Sequence, residues 1–218
     1  KQKFLIQFGS NISLKIIGIF SGIIVARLAG PEVLGQVSYG IAYASMFTFI
    51  TGIWGTPNIK MISEGNSLDK CLGVFIPLKT ASIFLYLLVG AGWLLISKFF
   101  LGKSFESPIH QQVVWISLIV IALQQTAFFF RTTFEAQTMQ VKSNLPVFTK
   151  GILFQLGRII VVLMGFRALG LLTWQLLTSI LVLPITFYLA KKLPKSKWDK
   201  SIAKSYWGYA KPLVLYVI

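Results

Sequence analysis

Six long apolar runs alternate with short polar stretches along the chain. They fall near residues 12–30, 35–56, 72–97, 113–134, 147–165 and 169–190. A helix needs roughly 20 apolar residues to cross the hydrocarbon core of a bilayer, and a run of about 18 or more is the usual sign of one. A last apolar stretch, residues 212–218, is too short to cross. The pattern predicts an all-α, polytopic membrane helix bundle with six transmembrane helices plus the start of a seventh. Residues 1–190 then form an N-terminal six-helix transmembrane lobe, 191–211 a basic linker, and 212–218 the truncated start of a seventh helix. On this reading the chain is the N-terminal part of a longer protein.

Composition narrows the class further. Apolar residues make up 55% of the chain and charged residues 12%, with a mean hydropathy of +0.74. A soluble domain carries about twice that share of charge. Disorder needs low hydrophobicity, and a disulfide scaffold needs more than Cys71, the single cysteine. The net charge of +15 comes from 21 Lys and Arg against 6 Asp and Glu. In a soluble protein that excess would suggest nucleic acid, but here most of it sits between apolar runs, as topology-setting charge does. Thirteen basic residues fall on one side: Lys1, Lys3, Lys60, Lys70, Arg131, Lys142 and seven lysines after residue 190. Four fall on the other: Arg27, Lys98, Lys103 and Arg167. The bias places the N-terminus and the 191–211 segment in the cytoplasm. The linker's Trp198, Tyr206 and Trp207 suit the headgroup level, although topology-setting charge is the simpler account of its lysines.

Lys15, Lys79, Lys150 and Arg158 remain, all within or near a span. A cation at mid-bilayer costs about 2.5–3.5 kcal/mol on insertion scales, so each should face protein or water, or snorkel from a helix end. At 100° per residue, Asn11, Lys15, Gly18, Gly22 and Ala26 share a small, polar face, opposite Ile16, Ile17, Phe20, Ile24 and Leu28. Lys79 shares a face with Ser82, Tyr86, Gly90, Trp93 and Ser97, and Arg158 with Gly151, Gln155 and Gly165. Arg131 and Glu135 stand one helical turn apart and can pair. Arg27 lies at a helix end, where its angle favours snorkelling.

The six acids, Glu32, Glu64, Asp69, Glu106, Glu135 and Asp199, all lie outside the middles of the spans. His110 is the only histidine. No cluster has the makeup of a metal site, and no phosphate loop or nucleophile elbow is present. The chain is therefore not expected to be an enzyme or to carry a cofactor. A cavity lined by cations and neutral groups favours an anionic ligand, which Arg and Lys bind well as phosphate.

Arg27-Leu28-Ala29-Gly30-Pro31-Glu32-Val33-Leu34-Gly35-Gln36 closes the first run and opens the second. This stretch resembles the "aR-lGpe-yGq" signature of bacterial polysaccharide (O-antigen type, Wzx-like) flippases of the multidrug/oligosaccharidyl-lipid/polysaccharide exporter superfamily. Leu34 stands where that family often has an aromatic residue. Gly55-Thr56-Pro57-Asn58-Ile59-Lys60, Phe166-Arg167-Ala168-Leu169-Gly170 and Tyr209-Ala210-Lys211-Pro212-Leu213 resemble further stretches of the family. The resemblance implies two lobes around a central cavity, with 191–211 as the inter-lobe linker and a C-terminal lobe as partner within the same chain. It implies flipping of undecaprenyl-diphosphate-linked oligosaccharide by alternating access. The residues expected to meet the diphosphate headgroup are Lys15, Arg27, Lys79 and Arg158, with Lys60 near the cytoplasmic mouth. A cation-coupled drug or metabolite exporter of the same superfamily, or a membrane enzyme of envelope polysaccharide assembly, are the alternatives.

Overall fold

The computed structural model describes residues 2–99 and 107–217. Lys1, Lys103, Glu106 and Ile218 lie outside them, as do the side chains of Lys3, Asn11 and Lys98. Among the described residues every regular element is a helix: α1 (Gln2–Ser45), α2 (Phe49–Gly52), α3 (Gly55–Ser63), α4 (Leu68–Phe99), α5 (Pro108–Ala127), α6 (Arg131–Ala136), α7 (Gln140–Leu163), α8 (Ala168–Ala190) and α9 (Lys200–Val217). Five segments are long and apolar enough to cross a membrane: Ile12–Ser45, Leu68–Ser97, Pro108–Ala136, Gln140–Leu163 and Ala168–Ala190. They suit a multi-pass membrane bundle.

The first of these, at 34 residues, would measure about 51 Å as a straight helix, well beyond a bilayer core. It is not straight. Gly30 has φ 81° and ψ 167°, a conformation outside the helical region, where only glycine sits without steric cost. Pro31 follows as the first residue of the next turn, where its missing N–H is no loss.

Contacts fix the directions of the two arms. The α7–α8 connection is short, and Trp174 Nε1 donates to Leu153 O at 3.2 Å, so these helices form an antiparallel hairpin. Helix α5 runs parallel to α8: Val113 packs with Leu171 and Leu172, and at the other end the Thr186 hydroxyl donates to Ala127 O. The arm before Gly30 tracks α7 in register, with Gly151 against Leu14, Gly18 against Gln155 and Gly22 against Arg158. The arm after Gly30 tracks α5. Tyr39 lies 5.3 Å from His110, Gly40 faces Val113 and Ser117, and Ala44 clusters with Val114 and Leu118. The arms therefore run in opposite directions, and the chain reverses at Gly30.

Two apolar runs are interrupted where the hydropathy pattern expects continuity. The run 35–56 leaves helix at Ser45. Thr48 Oγ1 donates to Ser45 O at 2.7 Å and Thr51 Oγ1 to Thr48 O at 2.8 Å, each adding to a backbone N–H that the same carbonyl accepts across the turn. The run 113–134 turns at Phe128–Phe130 before α6. Helix also begins at Lys200, well ahead of residue 212.

Candidate functional site

Lys79 is buried, 8% exposed, at the crossing of α2, α4 and α5. Its ammonium donates to Thr51 O at 2.7 Å and to Gln125 Oε1 at 3.0 Å. Thr51 lies in the short α2, so the lysine uses a carbonyl exposed by the interruption described above. These two acceptors offset the cost of burying the ammonium. Ser82, Tyr86 and Gly90 follow Lys79 into the interior, as their shared face predicts, and Tyr86 OH donates to Ala44 O at 3.0 Å. Trp93 does not follow and is exposed.

Lys150 is equally buried, with its ammonium 5.4 Å from the centre of the Phe128 ring. Gln125 and Phe128 lie at the end of α5, so Lys79 and Lys150 both approach its C-terminus. That end carries the negative pole of the helix.

Arg158 bridges α7 to the first arm of α1. Its Nη2 donates to Gly18 O at 2.9 Å and its Nε to Ser21 Oγ. Ser21 Oγ in turn donates to Gln155 O at 2.9 Å. A Cβ at Gly18 would press to 3.1 Å from the Gln155 amide nitrogen, while one at Gly22 would sit at ordinary contact distance, 3.5 Å, from the guanidinium. Gly18 and Gly22 of the small row thus lie at an α1–α7 contact closed by an arginine, whereas Ala26 of the same row is exposed.

The remaining expected residues are exposed. Lys15 stands at one edge of the α1 contact stripe, and Arg27 lies near the reversal. Ile16, Ile19, Phe20, Ile23 and Leu28 cover much of the outer surface of this arm. Of the five membrane-length segments, the one containing Lys15 and Arg27 is the least buried. Lys60, on α3, lies 3.8 Å from Glu64 and 4.0 Å from the centre of the Tyr209 ring. The structure therefore brings Lys79, Lys150 and Arg158 between helices and leaves Lys15, Arg27 and Lys60 outward.

Two hollows of about 350 and 400 Å3 lie between α4 and α5 and between α7 and α8. Both are apolar, and neither has a cation in its lining. A third, beside Arg131 and Lys142, is about 10 Å3, room for one water molecule. Arg131 pairs with Glu135 at 2.7 Å, as their spacing predicts.

A polar cluster that sequence reasoning did not anticipate joins α3, α6 and α9. Asn58 is fully buried and donates to Thr132 Oγ1 and Thr133 Oγ1, both at 3.0 Å. Its Oδ1 accepts from Tyr206 OH at 2.8 Å. The only sequence signal is a polar residue inside Gly55–Lys60, and nothing local identifies its partner on α9.

The chain matches no family model, no characterised protein and no solved structure.

Proposed function

We propose that this chain is a transporter lobe that moves an undecaprenyl-diphosphate-linked oligosaccharide across the cytoplasmic membrane for surface polysaccharide synthesis. In this reading the two arms of α1 cross separately, giving six crossings with the N-terminus in the cytoplasm, and α9 leads into a seventh helix. A second lobe of the same protein completes the cavity, and the lobes rock in alternating access. The carrying observation is the exposure of Lys15 and Arg27 on the least buried of the membrane-length segments. A cation on a membrane helix costs about 2.5–3.5 kcal/mol near mid-bilayer unless something pairs it. A lipid-linked diphosphate supplies the charge that offsets this cost. The resemblance around Gly30-Pro31-Glu32 supports the same assignment.

The expected roles then divide. Lys15 and Arg27 meet the diphosphate, and Lys60 receives it at the cytoplasmic mouth. Lys79 and Arg158 hold the helices that shape the path. The test uses cells that depend on this protein for surface polysaccharide. Lys15→Ala and Arg27→Ala should cut export at least about tenfold at unchanged protein level, with Lys15→Arg restoring it. Unchanged export in both alanine variants removes the reading.

A further inference from the structure

Helix α9 has two unlike faces. Ile202, Tyr206 and Ala210 are buried against α3 and α4, and Tyr206 reaches Asn58 through its hydroxyl. On the other side, Lys200, Lys204, Trp207 and Lys211 are exposed. At 100° per residue these four fall within about 60° of one another, in a single stripe opposite Ile202 and Tyr206. Lys191, Lys192, Lys195, Lys197 and Trp198 are exposed in the segment that leads into it. The one acid of that segment, Asp199, is already engaged: it lies 2.9 Å from Lys70 Nζ and accepts from the Ser201 amide at 2.9 Å. Lys197 also lies 3.9 Å from Asp69, so the positive charge with indole rings that remains is chiefly that of the stripe on α9.

Several contacts hold this surface in place. Lys197 N donates to Asp69 O at 3.0 Å. The Lys197 backbone crosses so close to Gly73 that a side chain at Gly73 would collide with it. Trp207 meets Trp54 edge-on, with ring centres 5.1 Å apart. Charge that only sets topology needs no fixed arrangement, whereas this charge is arrayed in a stripe on a docked helix.

Beyond the transport reading and independent of it, we infer that the Lys200–Lys204–Trp207–Lys211 stripe is a binding surface for the headgroups of anionic phospholipid. Charge complementarity selects the class of partner. Continuity with α8, a membrane-length helix that ends at Ala190 just before this segment, selects the lipid surface over a soluble polyanion. Tryptophan between lysines is the composition that suits the headgroup layer.

The test reads the environment of α9 in the full chain. Cys71 is the only cysteine and is buried, while a side chain introduced at Gly208 would start in open space, with nothing within 4 Å of its Cβ. A polarity-sensitive fluorophore on Gly208→Cys therefore reports from the edge of the stripe. The protein is reconstituted in phosphatidylcholine vesicles with and without about 30% phosphatidylglycerol, where each lysine near an anionic surface contributes about a fivefold gain in affinity. The emission should shift to the blue with phosphatidylglycerol, and the shift should shrink at about 0.5 M salt as charges are screened. Combining Lys200→Gln, Lys204→Gln and Lys211→Gln should remove more than about half of it, and the three Lys→Arg changes should keep it. Identical emission in both vesicle types overturns the inference, as does a full shift in the glutamine variant. So does an equal shift from a soluble polyanion such as heparin added to phosphatidylcholine vesicles, which assigns the stripe to an acidic macromolecule.

Discussion

Lys15 and Lys79 are the same residue type in similar apolar surroundings, yet the fold treats them in opposite ways. Lys79 sits where three helices cross and two oxygens wait within 3.0 Å. Lys15 sits on an arm that touches α7 along one stripe, and it stays exposed. What separates them is the supply of acceptors. A carbonyl inside a helix already accepts a bond from its own helix, so one beside a helix break is the freer acceptor. The break after Ser45 provides one at Thr51, and Gln125 adds a side-chain oxygen. The α1–α7 seam has its carbonyl taken by Arg158, at Gly18. Lys79 is thus buried beside a broken helix, whereas Lys15 stays on the surface.

The sharpest way to break this contrast is to disturb the packing that both regions depend on. Gly157 lies against the Trp174 indole, and a side chain there would collide with the ring. Gly157→Val should cost about 3 kcal/mol or more and abolish most folded protein, read as a loss of monodisperse material in detergent. Gly35→Ala, which meets nothing within 4 Å, should leave yield unchanged. Next in size is Lys79→Met. It keeps the apolar stem but strips Thr51 O and Gln125 Oε1 of their donor, at about 1–3 kcal/mol, measured as a lower midpoint of thermal unfolding. Lys15→Met should leave that midpoint where it is. Equal losses from the two would end the distinction between them.

Much of this is legible in the sequence, for reasons that show where reading stops. The reversal at Gly30-Pro31 is local chemistry: one residue type tolerates the positive φ and the next tolerates the missing donor. The α1–α7 seam is visible as a row of small residues at helical spacing, and the exposure of Ile16, Phe20 and Leu28 follows from the same arithmetic. The fate of each cation is not visible. Helical angles place Lys15 and Lys79 each on a polar face, but the acceptors that hold Lys79, Thr51 O and Gln125 Oε1, come from other helices. The docking of α9 is hidden for the same reason. Tyr206 and Asn58 are 148 positions apart, and 191–211 reads as linker because its lysines dominate the composition while its buried face has only a few residues.

A smaller effect separates the two fastenings of α9. Tyr206→Phe removes the hydroxyl that Asn58 Oδ1 accepts from and leaves that oxygen buried, at about 1–2 kcal/mol. Faster proteolysis of the 191–211 segment should report it. Asp199 is the weaker, less buried counterpart. It caps α9, accepting from the Ser201 and Ile202 amides. The Lys70 ammonium holds its carboxyl well below the usual carboxylate range, helped by the Ser201 hydroxyl and those amides. The sign follows from that depression. The native state binds this proton less readily than the unfolded chain, so the contribution is complete above the ordinary aspartate value of about 3.9 and is lost as pH falls below it toward the native value. Lys70→Gln removes the largest cause and should raise the Asp199 titration, followed by carboxyl carbon NMR. Loosening of α9 in acid should then begin at higher pH, with nothing changed at pH 7. If Lys70→Gln leaves the titration in place, the cap alone sets the acidity of Asp199, and the Lys70 pair contributes nothing to holding the helix.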